Sequence, residues 1–146
     1  MADLAELEAK IRVLEDIEAI KKLKARYWRC LDSKSWDEVL ECFAEDAVVD
    51  YGRNIKLEGK KALAEHLKEK LGGDSWIGIH QGHNPEIDVI SGKTAKGIWE
   101  LYVHTIWKPE NRGLRLGGFY HDEYVKENGY WKIRSTRMTE IFIETW

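Results

Sequence analysis

The stretch KEKLGGDSWIGIHQGH, residues 68–83, is where the sequence changes from a helical to an extended pattern. Before it, Leu63, Leu67 and Leu71 recur every four residues, which is helical spacing, and the glycine pair 72–73 is typical of a helix end. After it, apolar and polar residues alternate, and Ile, Val, Trp, Tyr and Thr become frequent, as they do in strands. Helices first and strands last predict an α+β domain.

Upstream of this boundary, two more helices are predicted. Apolar residues step by threes and fours through residues 3–31, which predicts a long helix with a break near Glu15 and an N-terminal helical extension over residues 1–15. Ser35 and Glu38 have the spacing of a capping box, which predicts the start of a short helix. The apolar run at 47–51 then predicts a brief strand.

Downstream, the alternation predicts five strands joined by short turns, which is typical of an antiparallel sheet. Their sequences are WIGIHQGH, EIDVIS, TAKGIWELYVHTIW, LRLGGFYHDEYVKE and YWKIRSTRMTEIFIE. The glycine pair 117–118 lies inside a strand and indicates a bulge or bend. A sheet that bends strongly over the helices leaves a pocket on its concave side. With 146 residues, we expect a single domain, 1–146.

The bulk composition excludes several partners. The formal net charge is −3, with both signs mixed along the chain, so a nucleic-acid partner is not expected. The chain has no apolar run of membrane-spanning length and no secretory leader, which predicts a cytoplasmic protein without a membrane partner. Cys30 and Cys42 have apolar neighbours and are expected to be buried, reduced thiols.

Two histidines three residues apart, His80 and His83, invite a metal-site interpretation. Side chains in a strand alternate between faces, so these two imidazoles are expected to point to opposite sides. A metal needs convergent ligands, and therefore no metal is expected here. His66, among the charged residues of the third helix, is expected to be solvated, and His104 is expected on the outer face of the sheet.

Asp32 and Tyr27 are candidates whose roles the residues alone leave open. Asp32 ends a helix, where the helix dipole disfavours a carboxylate, so a nearby imidazole would stabilise it. Equally, Asp32 is a residue type that commonly begins a turn. Tyr27 lies on the apolar stripe of the long helix, where it either fills the core or presents its hydroxyl to a ligand.

Three stretches together resemble the SnoaL-like branch of the nuclear-transport-factor-2-like superfamily. They are residues 14–52, IHQGHNPEI at 79–87 and GGFYHDEYVKENGYWKI at 117–133. Within that branch, YWRCLD and HQGHNPEI are most similar to the bile acid 7-alpha-dehydratases, and DSKSWD is similar to the scytalone dehydratases. The resemblance implies a cone-shaped roll in which N-terminal helices pack on a strongly bent antiparallel sheet around a deep apolar pocket.

The resemblance also implies catalytic roles. His80 takes the position of the general base, Asp32 that of its partner, and Tyr27 that of the tyrosine that polarises the substrate. Tyr51 matches a pocket tyrosine. Val103 stands where the bile acid enzymes have a further aspartate, so an acid of the third strand is missing or displaced.

We therefore expect a cofactor-independent, dehydratase-like lyase that acts on an apolar polycyclic or aromatic carbonyl compound. The alternatives are an isomerase or cyclase with the same base, or a non-catalytic module that binds a small apolar ligand. Besides Tyr51, the predicted pocket-lining residues are Trp76, Trp99, Leu101 and Val103. The resemblance further implies a homo-oligomer, a trimer or a dimer, assembled through the outer face of the sheet.

Overall fold

The structure, a computed structural model, describes Met1 and residues 3–146. The predicted order of helices before the main sheet is confirmed. In chain order the elements are α1 (Leu4–Asp32), α2 (Trp36–Glu41), β1 (Phe43–Asp50), β2 (Lys56–Glu58), α3 (Gly59–Leu71), β3 (Trp76–Val89), β4 (Thr94–Trp107), β5 (Arg112–Glu127) and β6 (Tyr130–Thr145). The helices pack on a curved, unclosed sheet, which is the predicted α+β roll.

The six strands form one sheet in the order β2-β1-β6-β5-β4-β3. Strands β3 to β6 make an antiparallel meander, as their short connections require. β1 runs parallel to β6, so the prediction of a wholly antiparallel sheet is wrong at this one pairing. The connection between them includes α3 and three long strands, so no short turn dictates an antiparallel direction.

The first two predicted strands are one continuous strand, β3, and their separation in the prediction was wrong. The register with β4 shifts between His83 and Glu86, which is a β-bulge. Asn84 has a φ of 46°, a left-handed conformation that asparagine tolerates better than most residues. The Asn-Pro pair therefore kinks the strand without ending it. The bulge predicted at 117–118 is confirmed by a register shift against β6.

α1 is continuous through Glu15, so the predicted break is absent from its Leu4–Asp32 span. Every described residue before Asp16 is exposed, and Ala2 of the predicted extension lies outside the described residues. Asp3 caps the start of α1, and its carboxylate accepts a hydrogen bond from the Glu6 amide at 2.8 Å. The predicted capping box was wrong, because the Ser35 side chain caps no α2 amide. Across the described residues, none of the helices is both long and apolar enough to cross a membrane.

The core lies between the inner face of the sheet and the buried faces of α1 and α3. On α1 the buried stripe includes Ile20, Tyr27 and Leu31, and on α3 it includes Leu63 and Leu67. Aromatic rings from α1 and β4 meet at the centre of the molecule, where the centroids of Trp28 and Trp99 are 5.3 Å apart in an edge-to-face arrangement.

Gly82 allows Trp28 of α1 to approach the sheet. A Cβ atom at this glycine would lie 1.8 Å from the Trp28 ring, so the substitution Gly82→Ala forces the helix or the indole to move. We expect it to lower the free energy of unfolding by about 1–3 kcal/mol, measured by urea denaturation. Gly92→Ala is the matched control, since a Cβ there meets no atom within 4 Å among the described residues. Equal stability of the two variants would contradict this packing.

Candidate active site

A partly open cavity of about 170 Å³ lies between α1, α3 and the inner face of the sheet. Its wall is mainly hydrocarbon, with a few polar groups directed into it. It is lined by Tyr27, Leu31, Tyr51, His66, Leu67, Leu71, His80, Val103, Leu116, Tyr120 and Met138. A larger depression of about 590 Å³ lies across the strands and is lined mostly by charged side chains, but it includes neither His80 nor Asp32. A third, open depression of about 630 Å³ runs along α1 and β3 and includes both Asp32 and His80, but neither Tyr27 nor Tyr51. We place the candidate site in the smaller cavity because His80 and the two tyrosines meet there.

Asp32 and His80 form a hydrogen-bonded pair, and His80 is the member that lines the cavity. The His80 Nδ1 lies 2.6 Å from one Asp32 carboxylate oxygen, and the His80 backbone N–H donates to the other oxygen at 2.9 Å. Both carboxylate oxygens are thereby engaged by one residue, which fixes the position of the imidazole. A carboxylate at Nδ1 favours the tautomer with the proton on that nitrogen. Nε2 is then an acceptor, and the described residues offer it no hydrogen-bond partner.

Strand alternation places His80 and His83 on different faces, as predicted. His80 is 11% exposed and lines the cavity, whereas His83 is exposed on the other side of β3. Nowhere in the described chain do three or more His, Cys, Asp or Glu side chains come together as metal ligands. His104, as predicted, lies on the outer face, where its ring meets Trp146 at 5.6 Å.

Three tyrosines lie at the cavity, brought together by α1, the end of β1 and β5. The Tyr27 and Tyr51 hydroxyls are 3.0 Å apart, and the third is Tyr120. One hydrogen bond between two hydroxyls uses one of their two protons, so the other proton remains available to a ligand oxygen. The sequence analysis identified Tyr27 and Tyr51 but missed Tyr120.

Burial keeps these phenols protonated. It raises the pKa of Tyr51 to about 12 and raises the pKa of Tyr27 and of Tyr120 well above the ordinary value. For Tyr27 and Tyr120, repulsion from the negative charge of an ionised Tyr51 raises the pKa further. A protonated phenol in an apolar wall is a hydrogen-bond donor for an oxygen that gains negative charge.

The structure divides the predicted lining residues into two groups. Tyr51 and Val103 line the cavity, and Val103 is the direct cross-strand neighbour of His80. Trp76, Trp99 and Leu101 are buried but lie outside the cavity wall. Trp99 packs in the core instead, where its Nε1 donates to the Tyr124 hydroxyl at 2.9 Å.

His66 was expected to be solvated, and that expectation was wrong. It lines the cavity from α3, and its ring centroid is 6.2 Å from that of Tyr51. Burial lowers the pKa of His66, and the Lys70 ammonium lowers it further. The sequence did carry a signal for this placement. His66 follows Leu63 by three residues and precedes Leu67, so it belongs to the apolar stripe of α3.

Beneath the tyrosines lies a buried ion pair that the sequence analysis also missed. The Lys24 ammonium is 2.7 Å from an Asp122 oxygen, and both side chains are 0% exposed. Asp122 also accepts hydrogen bonds from Tyr124 at 2.7 Å and Thr136 at 2.5 Å. The ammonium further lies 4.6–5.1 Å from the ring centroids of Tyr27, Trp28 and Tyr120, within cation–π range.

The SnoaL-like domain model matches residues 12–137, so the chain belongs to the SnoaL-like family, within the nuclear-transport-factor-2-like superfamily. Among solved structures, a scytalone-dehydratase-like protein of Novosphingobium aromaticivorans shares 25% identity over 92% of this chain and 90% of its own, with a TM-score of 0.87. A hexachlorocyclohexane dehydrochlorinase of Novosphingobium barchaimii shares 18% identity over 94% of each chain, with a TM-score of 0.81.

A third structure is an NTF2-like protein with a cystatin-like fold, also from Novosphingobium aromaticivorans. It is 22% identical over 97% of this chain and 92% of its own, with a TM-score of 0.76. At these identities, the dehydrochlorinase and the NTF2-like protein show the fold alone. Together with the family match, they confirm the predicted SnoaL-like roll.

Proposed function

We propose that the protein is a cofactor-independent lyase that eliminates water from an apolar polycyclic or aromatic carbonyl compound. The observation that carries this proposal is the engagement of both Asp32 oxygens by His80, a residue that lines the cavity holding the Tyr27–Tyr51 hydroxyl pair. Removal of a proton next to a carbonyl requires a base and a group that binds the carbonyl oxygen, both at one apolar cavity.

In this mechanism, His80 Nε2 removes the proton on the carbon next to the carbonyl. The C–H electron pair moves toward the carbonyl oxygen, whose negative charge is stabilised by a tyrosine hydroxyl of the Tyr27–Tyr51 pair. The enolate then reforms the carbonyl and expels the hydroxyl on the β carbon with its bonding electrons. That hydroxide takes up the proton held by the imidazolium and leaves as water, which returns His80 to its starting state.

Asp32 is proposed to act through His80. Its carboxylate holds the proton on Nδ1, keeps Nε2 basic and stabilises the imidazolium once it forms. The similarity to bile acid 7-alpha-dehydratase and the scytalone-dehydratase-like neighbour both support a dehydratase. Val103, on β4 at the cavity wall, is a hydrocarbon at the position where the bile acid enzymes have an aspartate.

A second candidate function follows from that same Val103. An isomerase or cyclase uses His80 to move a proton and needs no acid for a leaving group, so an apolar side chain opposite His80 is compatible with it. Product mass separates the two reactions: a lyase product has lost the mass of water, whereas an isomerase product has the mass of its substrate. A module that only binds its ligand would return the compound unchanged.

The activity is tested on ring carbonyl compounds that raise the melting temperature of the protein, since a ligand specific to the folded state stabilises it. We expect His80→Ala to lower the turnover rate by about 10²–10⁴-fold, the usual contribution of a positioned acid–base group. The matched control is His83→Ala, on the same strand but on the other face, which should retain the rate. Unchanged turnover in His80→Ala would exclude His80 as the base.

We further propose that the chain assembles as a homo-oligomer, a trimer or a dimer, through the outer sheet face. This face exposes Ile77, Ile79 and Ile98, and near its edge Phe142 and Trp146. Apolar side chains of this size on one face favour burial against another subunit. Light scattering on the purified protein measures the number of subunits. A cytoplasmic location stays a prediction from the sequence.

A further inference from the structure

The cavity is small for the range of compounds considered above. An apolar protein cavity of about 150 Å³ is known to hold one benzene molecule. At about 170 Å³, the cavity beside His80 has room for one ring with small substituents. On the α3 side its wall is formed by Leu67, which is 2% exposed, and by Leu71. A fused second ring could therefore not extend toward α3 without displacing that helix.

The polar groups of the cavity come from separate elements, so they can serve different parts of one ligand. His80 comes from β3, the tyrosine pair from α1 and the end of β1, and His66 from α3. The rest of the α3 wall is hydrocarbon, contributed by Leu67 and Leu71. His66 has no hydrogen-bond partner among the described residues, so its ring nitrogens are free for a ligand.

The protonation state of His66 determines which substituent of a ligand its ring can bind by hydrogen bonds. Burial and the nearby Lys70 lower its pKa, so the imidazole is neutral at neutral pH. The Glu69 carboxylate, also near His66, raises the His66 pKa, but its effect is smaller than those of burial and Lys70. The ring of Tyr51, which lies close to His66, is uncharged. A neutral imidazole has one donor and one acceptor nitrogen. That combination complements a hydroxyl group, which both donates and accepts.

We propose that the site takes a compound built on a single six-membered ring that carries a carbonyl and a hydroxyl, with the hydroxyl bound by His66. This inference rests on the proposed function and narrows its substrate class. The carbonyl oxygen lies at the Tyr27–Tyr51 pair, the hydrogen to be removed lies at His80, and His66 selects for the group that leaves.

Inert analogues test the proposal without turnover. Resorcinol has one ring and two oxygens, phenol lacks the second oxygen, naphthoresorcinol has a fused second ring and estradiol is tetracyclic. Dissociation constants come from titrations that follow the ring C–H signals of His66 and His80 by NMR. We expect resorcinol to bind at least about tenfold more tightly than naphthoresorcinol or estradiol. We expect it to bind about 3- to 10-fold more tightly than phenol, the usual contribution of one hydrogen bond.

His66→Leu should abolish the preference for resorcinol over phenol. Glu65→Leu, at an exposed position one residue earlier on α3, should retain that preference. His66→Gln keeps a donor and an acceptor and should retain part of the preference for resorcinol over phenol. This variant also tests the proposal if His66→Leu fails to fold.

Three results would overturn the proposal, and they can be told apart. Tighter binding of naphthoresorcinol or estradiol would exclude the single-ring class while leaving His80 as the proposed base. A resorcinol preference that survives in His66→Leu would exclude His66 as the hydroxyl site. If none of the four compounds moves the His66 or His80 signals, this substrate class is excluded, whereas the proposed function is decided separately by the turnover of His80→Ala.

Discussion

Lys24→Met is expected to lower the free energy of unfolding by about 3–5 kcal/mol, because it leaves the Asp122 carboxylate buried without its cation. The Lys24 and Asp122 side chains are both 0% exposed, so water cannot replace the lost partner without opening the core. Methionine resembles lysine in length and flexibility, which keeps the change in packing small. Urea denaturation measures the effect.

The matched control for this substitution is Lys22→Met, on the same helix but exposed to solvent. It should change stability by no more than about 0.5 kcal/mol. Lys24→Met combined with Asp122→Asn should be more stable than Lys24→Met alone, because an amide needs no counter-charge and can still bond with Tyr124 and Thr136. If Lys24→Met were as stable as Lys22→Met, the ion pair would not contribute to the fold.

The Lys24–Asp122 ion pair also affects the candidate site, because Lys24 contacts two of the tyrosines that line the cavity. Lys24 lies behind the cavity wall, where its ammonium contacts the rings of Tyr27 and Tyr120. A cation against the faces of these phenols holds their hydroxyls at the cavity. The network thus orders groups that the proposed reaction needs, although neither charge lines the cavity.

Local periodicity predicted much of the fold because side-chain direction follows directly from it. Strand alternation placed His80 and His83 on opposite faces before any tertiary contact was known. The parallel pairing of β1 with β6 could not be found in this way, since it joins segments separated by most of the chain. A pairing of that kind depends on how the helices pack and not on a local pattern.

Lys24 and His66 were missed for a related reason. Both occur among lysines and glutamates, which favoured a solvated interpretation. Both nevertheless lie at helical spacing from apolar neighbours: Lys24 falls between Ile20 and Tyr27 on the buried stripe of α1. A polar residue at helical spacing from apolar residues lies on the buried side of its helix, and the residue type alone does not indicate this.

The Asp32–His80 pair was only partly predictable from the residues. A carboxylate at a helix C-terminus is unfavourable, so Asp32 was expected to have a stabilising partner. The alternative, that Asp32 simply begins a turn, explained the residue equally well. The family resemblance supplied the pairing across 48 residues, and the structure places the two side chains 2.6 Å apart.

Asp32→Asn is expected to lower kcat/KM by about 10²–10⁴-fold on a substrate identified as above. The carboxylate accepts the Nδ1 proton and the His80 amide proton at the same time. An amide has only one oxygen, and its NH₂ group must donate, so one of these contacts is lost or reversed. If the NH₂ group faces Nδ1, the ring proton moves to Nε2 and His80 can no longer act as a base.

The loss should therefore come with a change of tautomer, which a purely structural role for Asp32 would not produce. The ¹⁵N shifts of the His80 ring report that tautomer directly, and they should exchange between Nδ1 and Nε2 in the variant. Asp37→Asn, exposed in the first turn of α2, is the matched control and should retain both the rate and the ring shifts. A slow Asp32→Asn variant with an unchanged tautomer would mean that Asp32 stabilises the imidazolium without setting its tautomer, and full activity would exclude it from the mechanism.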